Sequence, residues 1–429
     1  MTQQSNLKTV TGWALIIVAV FSAYLIKFFD DFNLAFLLFL LFQLVLIFRY
    51  KNVFSPGMRT VSRLLLGAVF LYSGFVKGVD PMGTAYRIED YFVAFGTDWL
   101  MFSALFFSFL LNAAELVLGG MLILHIKPKL TSLLVLLMMG VFTLVTLNDA
   151  LNNPVPDCGC FGDALILTNW QTFYKNLVLD VLVLIVFLHR KSIRRVYPDK
   201  TEWAIGAALV VIFVGFQYLN YVNLPMMDFR AWKVGNRLYP ENPKPVKYYL
   251  TYRNKETGET KEYLSPNYPY DDPDWVEKWE FVSQRVEDPN RVAGMDLAII
   301  DFSGEDVTDM YIKNPDYQFI VVAWSLRSTE REPFQQIEKL FEKADENGYS
   351  FIVLTSSLHN KIQQFLERED ITFDIPFYNA DDITLKTMIR SNPGLILIKD
   401  GEVIDKWHYN NLPDWKELEE EYLSSTSHD

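Results

Sequence analysis

The sequence predicts two parts made for different solvents: an α-helical polytopic membrane bundle of about seven spans, then a water-soluble α/β domain. Three observations predict it. Long apolar runs dominate up to about residue 222. From Asp228 onward stand 39 of the 52 acidic residues and only 23 of the 39 basic ones, so the C-terminal part carries about −16 and the N-terminal part about +3. A mean hydropathy near zero is then the average of a membrane part and a soluble part. The organisation expected is a bundle over residues 1–222, a linker and hairpin over 223–297, and an α/β domain over 298–429. The acidic half shows no basic face, which argues against nucleic acid as a partner. Membrane lipid is the first partner implied.

An apolar stretch of roughly 18 residues can cross a bilayer core as a helix. Seven stretches qualify, near residues 11–29, 32–48, 61–75, 100–124, 130–147, 173–188 and 203–222. The third and sixth are short and amphipathic, which places them inside the bundle. The first lacks a small-residue cleavage site and is followed at once by another span, so it does not read as a cleaved signal. Basic residues collect in alternate loops: Arg49, Lys51, Arg59 and Arg63; Lys127 and Lys129; Arg190, Lys191, Arg194 and Arg195. The positive-inside rule makes those loops cytoplasmic. The N-terminus with Lys8 is then cytoplasmic, and seven crossings put the C-terminal half outside. In a bacterium this describes the inner membrane with a periplasmic domain.

The linker "NLPMMDFRAWKVGNRLYPENPKP" is rich in proline and aromatics and reads as lying along the membrane surface. "VKYYLTYRNKETGETKEYL" alternates aromatic and polar residues around a Lys-Glu-Thr-Gly turn, a hairpin pattern. "SPNYPYDDPDW" reads as a loop. "QFIVVAW" and "SFIVLTS" are buried strands on either side of "EPFQQIEKLFEKADENG", an amphipathic helix stopped by Asn-Gly. "GLILIKDGEVIDKWHY" is a hairpin turning on Lys-Asp-Gly. This is an α/β sandwich pattern.

Within it, "AWSLRSTEREP" sets Trp324, Ser325, Ser328 and Pro333 at the spacing of the thioredoxin Trp-Cys-x-x-Cys-x-x-x-x-Pro segment. "RSNPGLILIKDGEV" resembles the thioredoxin loop with a cis proline, here Pro393, followed by the final hairpin. The resemblance covers roughly residues 298–415. It implies a thioredoxin-like fold that holds extended peptides beside Pro393, with Trp324, Ser325, Ser328 and Pro393 as candidate partner-binding residues. Both cysteine positions of the family are serine. Serine caps helix starts well, but it forms no disulfide and is no thiolate nucleophile. The domain is therefore expected to bind or brace and to carry no redox chemistry.

Ionisable groups inside a membrane are costly and mark function by default. "VSRLLLGAVFLYSGFVKGVDP" puts Arg63 at the inner boundary and Lys77 at the outer one, where both could simply snorkel. "LNAAELVLGG" holds Asn112 and Glu115 three residues apart, on one helix face. A carboxylate several turns into a span needs a partner or a proton. Pairing with Lys77 or Arg87 competes with a proton-relay or quinone-contact role. Asn148 and Asp149 end the fifth span, and Lys175, Asn176 and Asp180 begin the sixth. Asp149 and Asp180 are read as close enough to the outer surface for water to solvate them.

"NPVPDCGCFGDA" carries Cys158 and Cys160, the two cysteines of the 429 residues. The loop falls on the outer side, where disulfides persist. A metal clip needs about four ligands, and the neighbourhood offers two thiols. His125 and His189 lie toward the inner ends of their spans, so no metal is expected. A three-residue disulfide ring stabilises little by loop closure and is strained, and strained bonds are the easier ones to reduce. Reversible redox work, a loop brace and a reduced pair that merely packs all remain open. Gly159 leaves room for a tight closure, and Phe161 is expected to drop into the membrane interface.

"RLLLGAVFLYSGFVKGVDP", then "YRIEDYF", then the glutamate of the next span, then "CGCFGD", resembles the DoxX/MauE family of membrane proteins. The resemblance covers residues from about 60 to 190. It implies a four-helix core and thiol or sulfur redox work. MauE-like members assist maturation of a disulfide-rich periplasmic enzyme, and DoxX-like members act in quinone-linked sulfur oxidation. Carried onto this sequence, Cys158, Cys160 and Glu115 become the candidate catalytic residues, and Arg63, Lys77 and Arg87 the candidate cofactor-binding ones. A quinone is the implied cofactor and a periplasmic protein the implied client. The competing expectation is a non-enzymatic membrane assembly or scaffold factor.

Overall fold

Eight α-helices follow one another through the described part of the N-terminal unit, Met1–Phe229. The computed structural model describes residues 2–191, 196–240, 242, 244–287, 289, 297–368 and 374–423. Arg194 and Arg195 of the basic loop lie outside the described residues. The helices are α1 (Thr2–Leu25), α2 (Leu34–Arg49), α3 (Pro56–Val79), α4 (Pro81–Ala94), α5 (Ala104–Ile123), α6 (Pro128–Asn152), α7 (Asn169–Leu188) and α8 (Asp199–Val222).

Among the described residues six helical segments are long and apolar enough to cross a membrane: Leu7–Phe28, Pro56–Val79, Asp98–Ile123, Pro128–Asn152, Asn169–Leu188 and Asp199–Val222. The expected second span is the exception. The 16 residues of α2 rise about 24 Å, short of a hydrocarbon core of about 30 Å. Asn33 caps α2, its side chain accepting from the Phe36 N–H, and so fixes its start. The "YRIEDYF" segment, too polar to read as a span, forms α4. Its helix starts at Pro81, behind an Asp80 side chain that accepts from the Gly83 N–H.

Helices α3 and α7 are the most buried of the six long ones, at 44% and 67% of their apolar windows. Helix α7 packs against α1, α2, α3 and α6. Its start is a capping box: Thr168 and Gln171 exchange side-chain and backbone hydrogen bonds. Asp149 departs from its expected solvation. It is fully buried because α4 brings the Tyr91 hydroxyl to 2.5 Å from its Oδ2. Asp180 accepts from the Thr143 hydroxyl at 2.8 Å and is partly buried.

The C-terminal unit is Arg230–Asp429. Its linker residues run along the unit's own last hairpin: the Gly235 N–H bonds to Val403 O and the Leu238 N–H to Gly401 O. Trp232 is fully buried there. These residues therefore pack as part of the C-terminal unit.

Strands β1 (Lys247–Asn254) and β2 (Thr260–Leu264) form the expected hairpin. A short helix α9 (Pro273–Lys278) occupies part of the expected loop. Strand β3 (Trp279–Glu287) then pairs antiparallel with the other side of β1, giving the sheet order β2-β1-β3. After α10 (Thr308–Ile312) come β4 (Tyr317–Val322), α11 (Phe334–Glu346), β5 (Ser350–Thr355), α12 (His359–Arg368), β6 (Phe377–Asn379), α13 (Asp382–Met388), β7 (Gly394–Lys399) and β8 (Glu402–His408). The second sheet has the order β6-β5-β4-β7-β8. Strands β4, β5 and β6 run parallel, and β7 and β8 are antiparallel additions. Every residue of β4 is buried, as a central strand covered on both faces must be.

The serines do not cap α11. That helix begins at Phe334 with Pro333 in the capping position and no side-chain cap. Proline suits a helix start because an N–H there would have no acceptor within the helix and its fixed φ is already helical. Ser325 and Ser328 instead close a turn, the Ser328 N–H bonding to Ser325 O at 3.1 Å.

Candidate functional site

Two glycines let α3 and α5 touch backbone to backbone. A Cβ at Gly74 would stand 2.5 Å from the Leu116 nitrogen, and one at Gly119 would stand 2.6 Å from the Leu71 nitrogen. Small residues permit this approach between membrane helices. The approach aims Lys77 of α3 at Glu115 of α5. Their side chains form an ion pair, Lys77 Nζ donating to Glu115 Oε1, and they are 5% and 3% exposed. The second carboxylate oxygen lies 2.7 Å from the Ser73 hydroxyl. Asn112, one turn before Glu115, donates to the Lys77 carbonyl at 3.1 Å. It thereby satisfies an acceptor that the end of α3 leaves open.

The cysteine loop sits over this pair. Asn169 Nδ2 ties its base, donating to Asn153 Oδ1 at 2.7 Å and to Val155 O at 2.9 Å. Asp157 clasps its tip. One carboxylate oxygen accepts from the Gly159 N–H at 2.8 Å and the other from Arg87 at 2.9 Å. Arg87 also donates to Asp90 at 2.9 Å. Gly159 has φ +62°, and a Cβ there would meet Arg87 Cγ at 3.3 Å, so glycine serves both conformation and space. Cys158 and Cys160 have Cα atoms 5.5 Å apart, with their sulfurs within bonding distance. The Cys160 carbonyl oxygen lies 2.7 Å from the same Ser73 hydroxyl that touches Glu115. Phe161 does not point to the membrane interface. It is buried, with its ring 5.7 Å from that of Tyr72 and 4.7 Å below the Lys175 ammonium.

A cavity of about 250 Å³ opens between α3, α4, α5, α6 and α7. Cys158, Gly159 and Cys160 form one wall. Ser73, Lys77, Arg87, Tyr91, Glu115 and Lys175 supply polar groups, and residues such as Val69, Phe70, Leu111, Met139, Phe142 and Leu179 supply apolar surface. The structure thus gathers Cys158, Cys160, Glu115, Lys77 and Arg87 in one place. Arg63 does not line the cavity. It donates to the carbonyls of Leu122 and, at 2.9 Å, Ile123, so it caps the far end of α5, where a cation suits the helix dipole. Ser73, Tyr91 and Lys175 complete the lining but were not expected as site residues. Serine and tyrosine in a span are unremarkable in sequence, and only the α4 crossing brings Tyr91 inward. Lys175 did carry a signal, a lysine inside an apolar run. Among the described residues no group of three or more His, Cys, Asp or Glu is placed to hold a metal ion.

Chemically, the arrangement has a pair of sulfurs at the rim, a buried carboxylate–ammonium pair behind them, and apolar walls. Such a cavity suits an apolar molecule with a polar end.

In the C-terminal unit the expected partner-binding residues also converge. Asn392 Nδ2 lies 3.2 Å from Ser325 O and 3.4 Å from Ser328 Oγ, and the Glu330 N–H donates to Asn392 O at 3.0 Å. The Asn392–Pro393 peptide is cis, and Trp324 is buried beside the turn.

No curated protein and no solved structure matches the chain. Residues 55–189 match the family model described as methylamine utilisation protein MauE. That match runs from the start of α3 to the end of α7 and takes in every helix around the cavity, so the N-terminal unit carries a MauE-like membrane domain.

Proposed function

We propose that this chain is a bacterial inner-membrane accessory protein that performs thiol–disulfide exchange with a periplasmic client through Cys158 and Cys160. The observation that carries the reading is the position of the cysteine pair. It walls an intramembrane cavity whose other polar groups include the buried Lys77–Glu115 pair. In exchange, a client thiolate attacks one sulfur of a Cys158–Cys160 disulfide, and a second client thiol completes the client's own disulfide. The two cysteines are left reduced.

The acceptor in this reading is a quinone, supported by apolar walls that suit its ring and basic groups that suit its carbonyl oxygens. When bound, it would supply the two-electron acceptor that returns the pair to the disulfide. Glu115 and Lys77 would hold or release protons beside it, and Arg87 would keep the loop in place through Asp157.

The orientation rests on α3 to α8 alone. The loops with Arg49, Lys51 and Arg59, with Lys127 and Lys129, and with Arg190 and Lys191 fall at alternate turns, and the cysteine loop falls between them. The positive-inside rule then makes the cysteine loop periplasmic. Two crossings, α7 and α8, separate it from the C-terminal unit, which comes out on the same side. In this reading the C-terminal unit is thioredoxin-like and holds the client near Trp324, Ser325, Ser328 and Pro393. Its strand order and the turn that meets Pro393 support that, and serine at both positions leaves it without redox chemistry.

Thiol trapping in cells tests the proposal. The Cys158–Cys160 pair should shift toward the reduced form when quinone supply is cut. A pair that never changes state, together with harmless Cys158→Ser and Cys160→Ser variants, would leave the scaffold role instead.

A further inference from the structure

Lys175 is the basic group lining the cavity that makes no ion pair among the described residues, whereas Lys77 and Arg87 each do. Its ammonium rests over the Phe161 ring at 4.7 Å, a contact worth about 0.5–2 kcal/mol. Among the described residues it has neither a carboxylate partner nor a hydrogen bond. The nearby carboxylates are engaged elsewhere. Glu115 is taken by Lys77 and Ser73, and Asp157 by Arg87 and the Gly159 N–H. A cation within a bilayer calls for an anion. The cavity holds two groups that can become anionic during exchange, the sulfurs of Cys158 and Cys160. They differ in surroundings. Cys158 follows the Asp157 carboxylate. Cys160 has its carbonyl on Ser73 and is followed by Phe161, the residue under the ammonium.

We propose that Lys175 is a positioning residue that stabilises the Cys160 sulfur as a thiolate, making Cys160 the leaving group and Cys158 the sulfur a client attacks. This deepens the exchange reading above. The client thiolate forms a new S–S bond to Cys158, the Cys158–Cys160 bond breaks, and the electron pair stays on Cys160. A negative sulfur in the same cavity would offset a Lys175 ammonium. The other titratable groups facing Lys175 are Lys77 on α3, Glu115 on α5, and Arg87 and Tyr91 on α4; the cavity residues of α6 carry none. Lys77 is offset by Glu115, and Arg87 by Asp90 and Asp157, which leaves Lys175 as the cavity cation without an ion-pair partner among the described residues.

The test is the pH dependence of alkylation in the full-length protein in detergent, with iodoacetamide as probe. Cys160 in the Cys158→Ser variant should show a lower midpoint than Cys158 in the Cys160→Ser variant. Adding Lys175→Met should raise the Cys160 midpoint by about one unit and slow its alkylation at neutral pH up to about tenfold. Lys175→Arg should keep the low midpoint. Phe161→Leu, which removes the ring under the ammonium, should raise it less. Unfolding in dodecyl sulfate should erase all these differences. The proposal is overturned if Lys175→Met leaves the Cys160 midpoint unmoved, or if the midpoint of Cys158 moves instead. Failure of the exchange reading shows up separately, as a cysteine pair that never changes redox state in cells, and leaves this acidity measurement intact.

Discussion

The Ser73 hydroxyl stands 2.7 Å from Glu115 Oε2 and 2.7 Å from the carbonyl oxygen of Cys160. One hydroxyl proton serves one acceptor at a time. With Glu115 ionised, the carboxylate and the Cys160 carbonyl compete for that proton. With Glu115 protonated, its own O–H can donate to Ser73, and Ser73 can then donate to Cys160. The charge on Glu115 is thereby tied to the grip on the cysteine loop. Ser73→Ala should cut that tie. The expected outcome is faster alkylation of the reduced cysteines and a stability loss of about 1–3 kcal/mol, the usual range for a buried polar group left without its partner. An unchanged alkylation rate would mean that Asp157 and Asn169 alone hold the loop.

The Lys77–Glu115 pair makes a sharper stability prediction. Removing one partner of a buried pair strands the other charge, at a cost of roughly 3–5 kcal/mol. Lys77→Met and Glu115→Leu should each lower the thermal midpoint in detergent. The double variant should lose clearly less than the two single losses combined, because no charge is then left alone. Thermal unfolding followed by tryptophan fluorescence gives the cycle. Additive losses would show that the two side chains do not interact in the folded protein.

Gly74 and Gly119 set how closely α3 and α5 pack, and so where that pair sits. Gly74→Leu should force the helices apart and separate Lys77 from Glu115. A drop in thermal midpoint is expected, along with loss of the extra effect of Glu115→Leu in the Gly74→Leu background. Gly140 of α6, whose Cβ would meet nothing within 4 Å, is the control. Gly140→Leu should leave both readouts near the parent value.

Much of this was visible in the residues, and the parts that were not have physical reasons. A glutamate deep in an apolar helix demands a partner, and Lys77 was one of two candidates named. The strands of the C-terminal unit followed from β-branched and aromatic runs, and the Asn347–Gly348 stop of α11 from turn chemistry. Helix α4 was missed because Tyr86, Arg87, Glu89 and Asp90 break the apolar pattern by which spans are recognised. Its absence misplaced Asp149, which looked solvated until Tyr91 covered it. Strand β3 was missed because most of its side chains are exposed, so no buried alternation marks it. Arg63 and Lys77 look alike in sequence, as basic residues at the two ends of one span. Only the fold separates an α5 cap from a cavity cation.

The C-terminal unit carries its own pH dependence in His408. The residue is 4% exposed, and its ring centroid lies 4.2 Å from that of Tyr409. Its Nδ1 accepts from the Asn410 N–H at 3.2 Å, a bond that requires that nitrogen to be unprotonated. Burial pushes the imidazole down from 6.5 to about 4, because the charged form is the one desolvation penalises. The unfolded chain therefore binds a proton near pH 6.5 that the folded unit refuses until about pH 4. Stability from the buried neutral ring is complete above pH 6.5. It falls as the pH drops from 6.5 toward 4 and is flat below that, as proton linkage requires. In the full-length protein, hydrogen exchange of β7 and β8 should speed up across that window, after correction for intrinsic rates. His408→Leu should flatten the dependence over the same range. A His408→Leu protein that keeps the full slope would place the acid sensitivity in another group.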